Sequence, residues 1–577
     1  YLRAEEREAV FQEHLAWAER FTRGFGAQAA RTDEERRAKG RIKVGYISGD
    51  FQGHPAARFI EPVLAAHDRS RFHVFCYSNV PHPDETTRRF QSLCEEWRDI
   101  SALTDSQVAE RMRFDKLDIL VDLSGHTEGG RPLLLARKPA PVQVGWIGYP
   151  DTVGSSAVDY RFTDAIADPA GDADRFHSEK LVRLPGGFLC YQPPADCPDV
   201  APVPSAQGKG VTFGSFNNLA KVMPSMVPVW ARLLKALPDS RLALKAYGLS
   251  AESARKALLE QFARHGVGAE RLALLPPEPT VAGHLARYGE IDVALDAFPY
   301  NGTTTTCEAL WMGVPVVTRA GASHVSRVSA SLLERAGLAD LVARTEDEYV
   351  EKALALARDA ERRKALRTGL RKRLRASPLM DAAAFVRGVE SAYAEMWDRY
   401  AKEEDRSMRL HIGGRQKKPG WKILNVQPGP DVDFIGDCVD LSQFADGTVD
   451  EIYASHVLEH LSHSDRLPRA LKEFHRVLKP GGRVRISVPD FEAVCRLFLD
   501  PTQTREDREF IMQIAFGGQM DPYDFHHVGL TFEFLDRYLR RAGFGAVERS
   551  GDFGEFHDES RQKFNGLPVS VNVIATK

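Results

Sequence analysis

The chain has 577 residues, with 77 Lys and Arg against 80 Asp and Glu, and 43% of its residues are apolar. A net charge of −3 gives no global field to draw in nucleic acid or anionic lipid, and no run of roughly 18 apolar residues marks a membrane span. What is left is a globular protein of about three or four domain-sized units.

Seven cysteines stand at 76, 94, 190, 197, 307, 438 and 495 without paired spacing. That pattern predicts reduced thiols and a cytoplasmic protein rather than a disulfide scaffold. The chain opens at Tyr1 with no signal peptide, consistent with a fragment of a longer protein.

Residues 1–40 read as a charged amphipathic helix followed by a linker. Val10, Phe11, His14, Leu15, Ala18 and Phe25 recur at helical spacing, which assigns them to packing. His14 reads as a helix-face histidine, not a ligand. No repeat of about 34 residues is present.

Residues 41–190 alternate strands and helices. Apolar runs at Ile42–Ser48, Phe72–Ser78, Asp118–Leu123, Val142–Ile147 and Tyr160–Asp164 predict a doubly wound α/β sheet. Ligands bind such sheets beyond the carboxyl ends of their strands. Three loops stand at such ends. They are Gly49 to Pro55, then Ser124-Gly125-His126-Thr127 with Arg131, and Gly148-Tyr149-Pro150. Residues 191–210 are rich in Pro, Gly and Ala and read as a linker.

Residues 211–400 repeat the alternation, with strands at Val211–Phe216, Leu242–Ala246 and Leu272–Leu275 and a helix at Pro224–Leu237 opened by proline. Lys221 stands in the first strand-to-helix turn, where a fixed cation in a dry site would stabilise charge on a leaving phosphate. The bland alternative is a surface lysine.

The most informative stretch is Asp296 to Thr318, DAFPYNGTTTTCEALWMGVPVVT. Asn301-Gly302 is a turn dipeptide. Thr303, Thr304, Thr305 and Thr306 then supply an N-cap and a first helical turn, and Gly313 ends the helix before a buried strand. A helix N-terminus has free N–H groups and partial positive charge. With four hydroxyls beside it, it suits a diphosphate. Glu308, about one turn in, is placed for ribose hydroxyls. A threonine-capped structural helix is the other reading.

This stretch resembles the nucleotide-sugar signature of the O-GlcNAc transferase family of glycosyltransferases, SPINDLY-like bacterial members included. The family pattern is roughly N-G-x-T-T-x-x-D/E. Thr304 and Thr305 fall on the threonine pair, Glu308 on the acid, and Thr303 where the family has histidine. The D-F-x-x-H-P pattern falls on Asp50, Phe51, His54 and Pro55. The resemblance implies that His54 lies between acceptor and sugar donor, with Asp50 a second candidate for proton handling. The L-G-Y-P loop matches Ile147-Gly148-Tyr149-Pro150 and puts Gly148 among the sugar contacts.

The F-N-x-x-x-K pattern fits Phe216, Asn217 and Lys221, which implies a phosphate-binding lysine with Asn218 among the donor contacts. Ala220 replaces the family tyrosine. His284 takes the position that stacks on uracil, and Arg287 lies beside it. The family's lysine three residues earlier falls on Val281, a departure that bears on the ribose or phosphate contact and on donor preference. His126 and Arg131 lie in a D-L-S-G-H-T-x-x-x-x-R run similar to bacterial members, with His126 read as a loop-stabilising histidine. The principal acceptor-side histidine of the animal enzymes is expected ahead of Tyr1. The tail ending Glu395-Met396-Trp397 is expected to cross back onto the first half. The resemblance covers about residues 40–400. Family members carry tetratricopeptide repeats upstream, which are absent here or cut off.

After a charged linker, residues 408–577 form a different domain. Strands at Arg409–Ile412, Trp421–Val426, Val449–Ser455, Arg483–Val488 and Val569–Ala575, with SHVLEHL and LKPGG as landmarks, resemble a class I S-adenosylmethionine-dependent methyltransferase. His456-Val457-Leu458-Glu459-His460 also fits the H-x-x-E-H pattern of zinc proteases. The methyltransferase order of the flanking elements argues against that reading. The cofactor loop is Gly413-Gly414 rather than a fuller glycine motif. The acid that should end the second strand is Gln427, and Asp437 remains a candidate adenine contact.

The reading is an α/β protein of two Rossmann-like domains (GT-B architecture), 41–190 and 211–400, plus a C-terminal methyltransferase-like domain. The implied activity is inverting, metal-independent transfer of GlcNAc or a related sugar from a UDP-sugar to Ser or Thr of a protein acceptor. S-adenosylmethionine is a cofactor candidate for the last domain, and neither a nucleic acid nor a membrane is an expected partner. An Asn-linked hexosyltransferase, a UDP-sugar epimerase and a non-catalytic scaffold stay open as alternatives.

Overall fold

The computed structural model describes residues 6–22, 40–208, 210–405, 408–418, 420–520 and 523–577. They fall into two compact units, one reaching Asp398 and the other beginning at Arg399.

The first unit holds two parallel sheets. Strands β1 (Ile42–Ser48), β2 (Phe72–Ser78), β3 (Glu96–Asp99), β4 (Ile119–Asp122), β5 (Val142–Gly145), β6 (Tyr160–Thr163) and β7 (Lys180–Arg183) lie in the order β3-β2-β1-β4-β5-β6-β7. Val44 of β1 pairs with both Val74 and Ile119. Its neighbours Tyr46 and Ile47 are buried too, which is why this run is apolar rather than alternating. The edge strands β3 and β7 have no counterpart in the sequence reading. Glu96-Trp97-Arg98-Asp99 is polar on both faces and carries no apolar run. The order reverses between β1 and β4, so the loops after Ser48 and Asp122 open onto one crevice.

The second sheet comprises β8 (Thr212–Ser215), β9 (Arg241–Lys245), β10 (Leu272–Leu275), β11 (Val293–Leu295), β12 (Val316–Arg319) and β13 (Val342–Ala343), in the order β10-β9-β8-β11-β12-β13. Its reversal lies between β8 and β11. That places the turn 216–221 beside the loop 296–303.

The helix Thr304–Trp311 follows this loop. Eight residues are too few to hold a helix by propensity alone. It is held by burial of Cys307, Ala309, Leu310 and Trp311, each large apolar side chain contributing about 1.5–3 kcal/mol. Gly313 ends it in the left-handed region at φ 75°. Gly313 N donates to Leu310 O, and Val314 N to Ala309 O, the two bonds of a Schellman cap.

The helix Ala382–Asp405 returns to the first sheet, as expected. Glu390 pairs with His67 at 2.9 Å, and the Tyr393 hydroxyl meets that of Tyr46 at 3.1 Å. Between the two halves His324 Nδ1 reaches Asp168 at 2.6 Å and Arg327 Nε donates to Ile166 O at 2.7 Å. Burial would raise the Asp168 carboxyl, but His324 outweighs it and holds the group below the usual carboxylate range.

The second unit is one mixed sheet: β14 (Arg409–Ile412), β15 (Trp421–Asn425), β16 (Phe434–Ile435), β17 (Val449–Ser455), β18 (Leu478–Pro489), β19 (Ala546–Ser550) and β22 (Ser570–Thr576). A hairpin of β20 (Lys563–Phe564) and β21 (Leu567–Pro568) stands apart. The order is β16-β15-β14-β17-β18-β22-β19, with β22 antiparallel to both neighbours. The reversal between β14 and β17 sets the Gly413-Gly414 loop beside residues 456–460. A Cβ on Gly413 would meet Val457 at 2.6 Å. No helix among the described residues is long and apolar enough to cross a membrane.

Candidate active site

The loop entering the threonine helix is built on one buried carboxylate. Asp296, 2% exposed, accepts from Gly302 N at 2.7 Å and from the Thr318 hydroxyl at 2.7 Å. Asn217 Nδ2 lies 3.4 Å away on the facing turn. Burial raises the Asp296 carboxyl above its ordinary range, and these donors partly offset it.

Lys221 closes the arrangement. It ends a short turn, Leu219–Lys221, capped by the Asn218 side chain, which accepts from Ala220 N at 3.0 Å. Its ammonium donates to Asn301 O at 2.9 Å and lies 4.0 Å from the Tyr300 ring centroid. Burial pulls its pKa down to about 8, and Asp296 resists that shift.

The four threonines do not act alike. Thr303 occupies the N-cap position but makes no side-chain cap bond. The Thr305 hydroxyl donates to Asn217 Oδ1 at 2.9 Å, and that of Thr306 pairs with Ser329 at 2.9 Å. Two hydroxyls therefore brace the helix, one against the turn after β8 and one against the helix Val328–Arg335, because successive helical residues point about 100° apart. Those of Thr303 and Thr304 have no protein partner among the described residues, nor have the amides of Thr304 and Thr305. The mouth thus combines free N–H donors, free hydroxyls and a half-buried ammonium, a donor set suited to phosphate oxygens.

One turn further, Glu308 accepts from His284 Nε2 at 2.9 Å and lies 3.5 Å from the Tyr288 hydroxyl. His284 Nδ1 in turn meets the ammonium of Lys245, which closes strand β9 and is 6% exposed. Burial lowers the Lys245 pKa, with Glu308 opposing. Lys245 had no place in the sequence reading. Its signal was there, a charged residue closing a buried strand at its carboxyl end. Arg287 is held by Glu278 at 2.6 Å and Glu290 at 2.8 Å. Val281 is 42% exposed at the start of the same helix.

On the first sheet, His54 Nδ1 stands 3.5 Å from Asp50 Oδ1 and accepts from Ala56 N at 3.3 Å. An accepting Nδ1 puts the ring proton on Nε2, and the side chain is 46% exposed. Burial raises the Asp50 carboxyl, partly countered by His54. Gly148 is required by packing, since a Cβ there would lie 2.0 Å from Leu123 O. His126 Nε2 bonds Val153 O at 2.9 Å, the loop-bracing role expected of it.

His14 lies on a helix face, as read, and that face meets Tyr149. Its helix, Arg7–Thr22, lays it against the same rim. Nδ1 donates to Val10 O at 2.7 Å, so Nε2 accepts from the Tyr149 hydroxyl at 2.7 Å. A histidine ahead of the Asp50 motif is therefore present in this chain. Phe25, from the same pattern, lies outside the described residues.

Against this geometry the profile of Glycosyl transferase family 41 matches residues 5–192 and 205–389. The chain belongs to glycosyl transferase family 41. Among family relatives it is 43% identical over 413 residues to "Probable UDP-N-acetylglucosamine--peptide N-acetylglucosaminyltransferase SPINDLY" of Solanum lycopersicum, covering 71% of this chain and 44% of that protein. A relative of the same name from Arabidopsis thaliana is 44% identical over 404 residues, covering 69% of this chain and 44% of that protein. The chain thus spans under half the length of these relatives. The solved structure of a point mutant of the Thermobaculum terrenum O-GlcNAc transferase is 42% identical, with a TM-score of 0.65 over 69% of this chain and 75% of that one. A Methyltransferase domain profile matches residues 415–486, within the second unit.

In that second unit the residues fit only part of an S-adenosylmethionine site. Gly413 is left-handed at φ 72°, and its carbonyl and that of Gly414 are tied to Asn425 Nδ2 at 3.2 and 3.0 Å. Gln427 stands two residues beyond the end of β15 and offers no carboxylate, and Asp437 is engaged by Arg466. The loop fits the cofactor and the ribose-holding acid does not. No methyl-transfer step follows from these residues.

Proposed function

We propose that residues 41–400 transfer a sugar from a UDP-sugar, UDP-GlcNAc being the first donor to test, to a Ser or Thr hydroxyl of a protein acceptor. The observation that carries this reading is the Lys221 ammonium on the Asn301 carbonyl, at the mouth of a helix with unpaired amides.

In the proposed reaction the acceptor oxygen attacks the anomeric carbon as the bond to the β-phosphate oxygen breaks, with inversion. His54 orients the acceptor hydroxyl, and its proton leaves to the neighbouring Asp50 carboxylate or to water. The departing UDP takes the bonding electron pair. Lys221, the amides of Thr304 and Thr305 and the Thr303 and Thr304 hydroxyls stabilise its charge. His284 and Glu308, with Arg287 beside them, take the nucleoside, and Asn218 and Gly148 line the sugar. No catalytic metal is invoked, so transfer should persist in chelator. The seven free cysteines suit a reducing compartment such as the cytoplasm.

The test is a thermal-shift screen of UDP-, GDP- and ADP-sugars, followed by mass spectrometry of a protein acceptor pool. A shift with a UDP-sugar and its transfer to Ser or Thr support the reading. A shift with a different nucleoside, to which the Val281 departure points attention, would overturn the donor assignment. Transfer to Asn would overturn the linkage. For the second unit, titrating labelled S-adenosylmethionine into the full chain decides the matter. Saturable binding supports a working cofactor loop, and no binding rules it out.

A further inference from the structure

The second unit brings together a set of side chains that neither sugar transfer nor the cofactor loop uses. They come from two segments at the carboxyl edge of its sheet. The first is residues 456–460, directly after β17. The second is residues 525–527.

The H-x-x-E-H spacing does not put both histidines on one α-helix face. Only Leu458–His460 is helical, and it is a single 3₁₀ turn. The geometry of a helical zinc-protease site is therefore absent. Instead the turn aims Glu459 and His460 at His526 from the other segment. One ligand atom from each of the three lies within 4.8 Å of the others.

Three observations point to a cation between them. First, Glu459 is 1% exposed, and neither of its carboxylate oxygens has a hydrogen-bond partner in the protein. His456 Nδ1 stands 3.1 Å from Oε1, within ion-pair range but out of line for a hydrogen bond. A buried carboxylate without a hydrogen-bond donor is costly unless something compensates it.

Second, both histidines are fixed as lone-pair donors. His460 Nδ1 bonds Phe525 O at 3.3 Å, and His526 Nδ1 bonds Ile514 O at 3.1 Å. A carbonyl only accepts, so each Nδ1 carries the proton and each Nε2 is left with its lone pair. Metal-bound histidines are held in this way, with the second ring nitrogen donating to a carbonyl or carboxylate.

Third, the frame is preorganised. His527 N donates to Glu459 O at 2.8 Å, which joins the two segments beside the ligands. His456 sits in the left-handed region at φ 52°, a conformation that a non-glycine residue keeps only where its surroundings impose it.

We propose that Glu459, His460 and His526 bind one divalent first-row transition-metal ion, with His456 orienting the carboxylate. Two imidazoles and one carboxylate suit zinc, iron(II) or cobalt(II) better than calcium or magnesium. Three protein ligands leave at least one position open to water or a substrate oxygen.

The test uses the full chain, purified without a histidine tag, stripped with chelator and dialysed against zinc or cobalt. Metal content is read by mass spectrometry and cobalt coordination by visible absorption. The wild type should hold about one ion per chain, show cobalt d–d bands and melt at a higher temperature with metal than without. Glu459→Gln and His526→Ala should lose the ion and the bands. His456→Ala should weaken affinity about 10–100-fold, the scale of losing an orienting partner. His463→Ala, a neighbouring exposed histidine, should bind as the wild type does. Circular dichroism checks that each variant is folded, and His460→Ala replaces any that is not. A wild type that retains no ion, or folded Glu459→Gln and His526→Ala proteins that bind as well as wild type, would overturn the proposal.

Discussion

The Lys221 ammonium donates to the main-chain carbonyl of Asn301 at 2.9 Å. The contact joins the turn after β8 to the loop after β11, the two carboxyl ends that flank the reversal in strand order. A lysine there has lost much of its water and has gained one carbonyl, the face of the Tyr300 ring and the Asp296 charge in return. It is a cation waiting for an anion.

The pH profile should show this. With its pKa pulled down to about 8 by burial, Lys221 in the unliganded protein is an ammonium below that value and neutral above it. On the proposed function, the charged form is the one that takes the phosphate. kcat/KM for the donor should therefore fall as pH rises through about 8, approaching tenfold per pH unit. A profile flat from pH 7 to 10 would remove Lys221 from donor capture. Lys221→Ala should lower transfer about a hundredfold or more at pH 7.

His54→Ala should separate acceptor chemistry from donor binding. His54 stands on the first sheet, with Nδ1 occupied by Ala56 N and Asp50 behind it. Transfer should drop about 10²–10⁴-fold, with UDP affinity changed less than twofold to threefold. An equal loss of both would make His54 a donor-site residue.

Asp296→Ala should unfold the donor loop. The variant loses the acceptor for Gly302 N and Thr318 and leaves Lys221 without its buried counter-charge. A loss of about 3 kcal/mol in unfolding free energy is expected, the scale of breaking a buried charged network. Urea denaturation measures it. A change under 1 kcal/mol would mean that the loop is held elsewhere.

Gly148→Ala tests a steric claim. The added methyl would lie 2.0 Å from Leu123 O, so the backbone must move, whereas Gly186 has open space around it. Gly148→Ala should cost about 1–3 kcal/mol, and Gly186→Ala should be near neutral. Equal melting temperatures would refute the packing argument.

Much of this was legible in the sequence where the signal was local. β1, β2, β14 and β17 stand where their apolar runs put them, because each is largely buried, and half-buried β10 matches its run at the sheet edge. Gly313 ended its helix as read. The short edges, β3 and β7, were not legible, because four polar-flanked residues look like a turn until a neighbour supplies the hydrogen bonds. What His14 meets was unreadable for a different reason. Its partner Tyr149 lies 135 residues away, and helical spacing reports only that a residue has a face, not what the face meets. The threonine run was half legible. Its composition marked the site, but only the helix phase decides that Thr305 and Thr306 turn inward while Thr303 and Thr304 stay free. The H-x-x-E-H string was rejected as a protease motif for its context, and that rejection hid two of the three members of the cluster that His526 completes.

The most direct test is the affinity of UDP alone, by calorimetry at pH 7, for wild type and Lys221→Ala. Losing a charge-assisted contact to the pyrophosphate should weaken binding by about 1.5–3 kcal/mol, roughly 10–150-fold. Equal affinity in a folded variant would contradict a pyrophosphate seated at the threonine helix against Lys221.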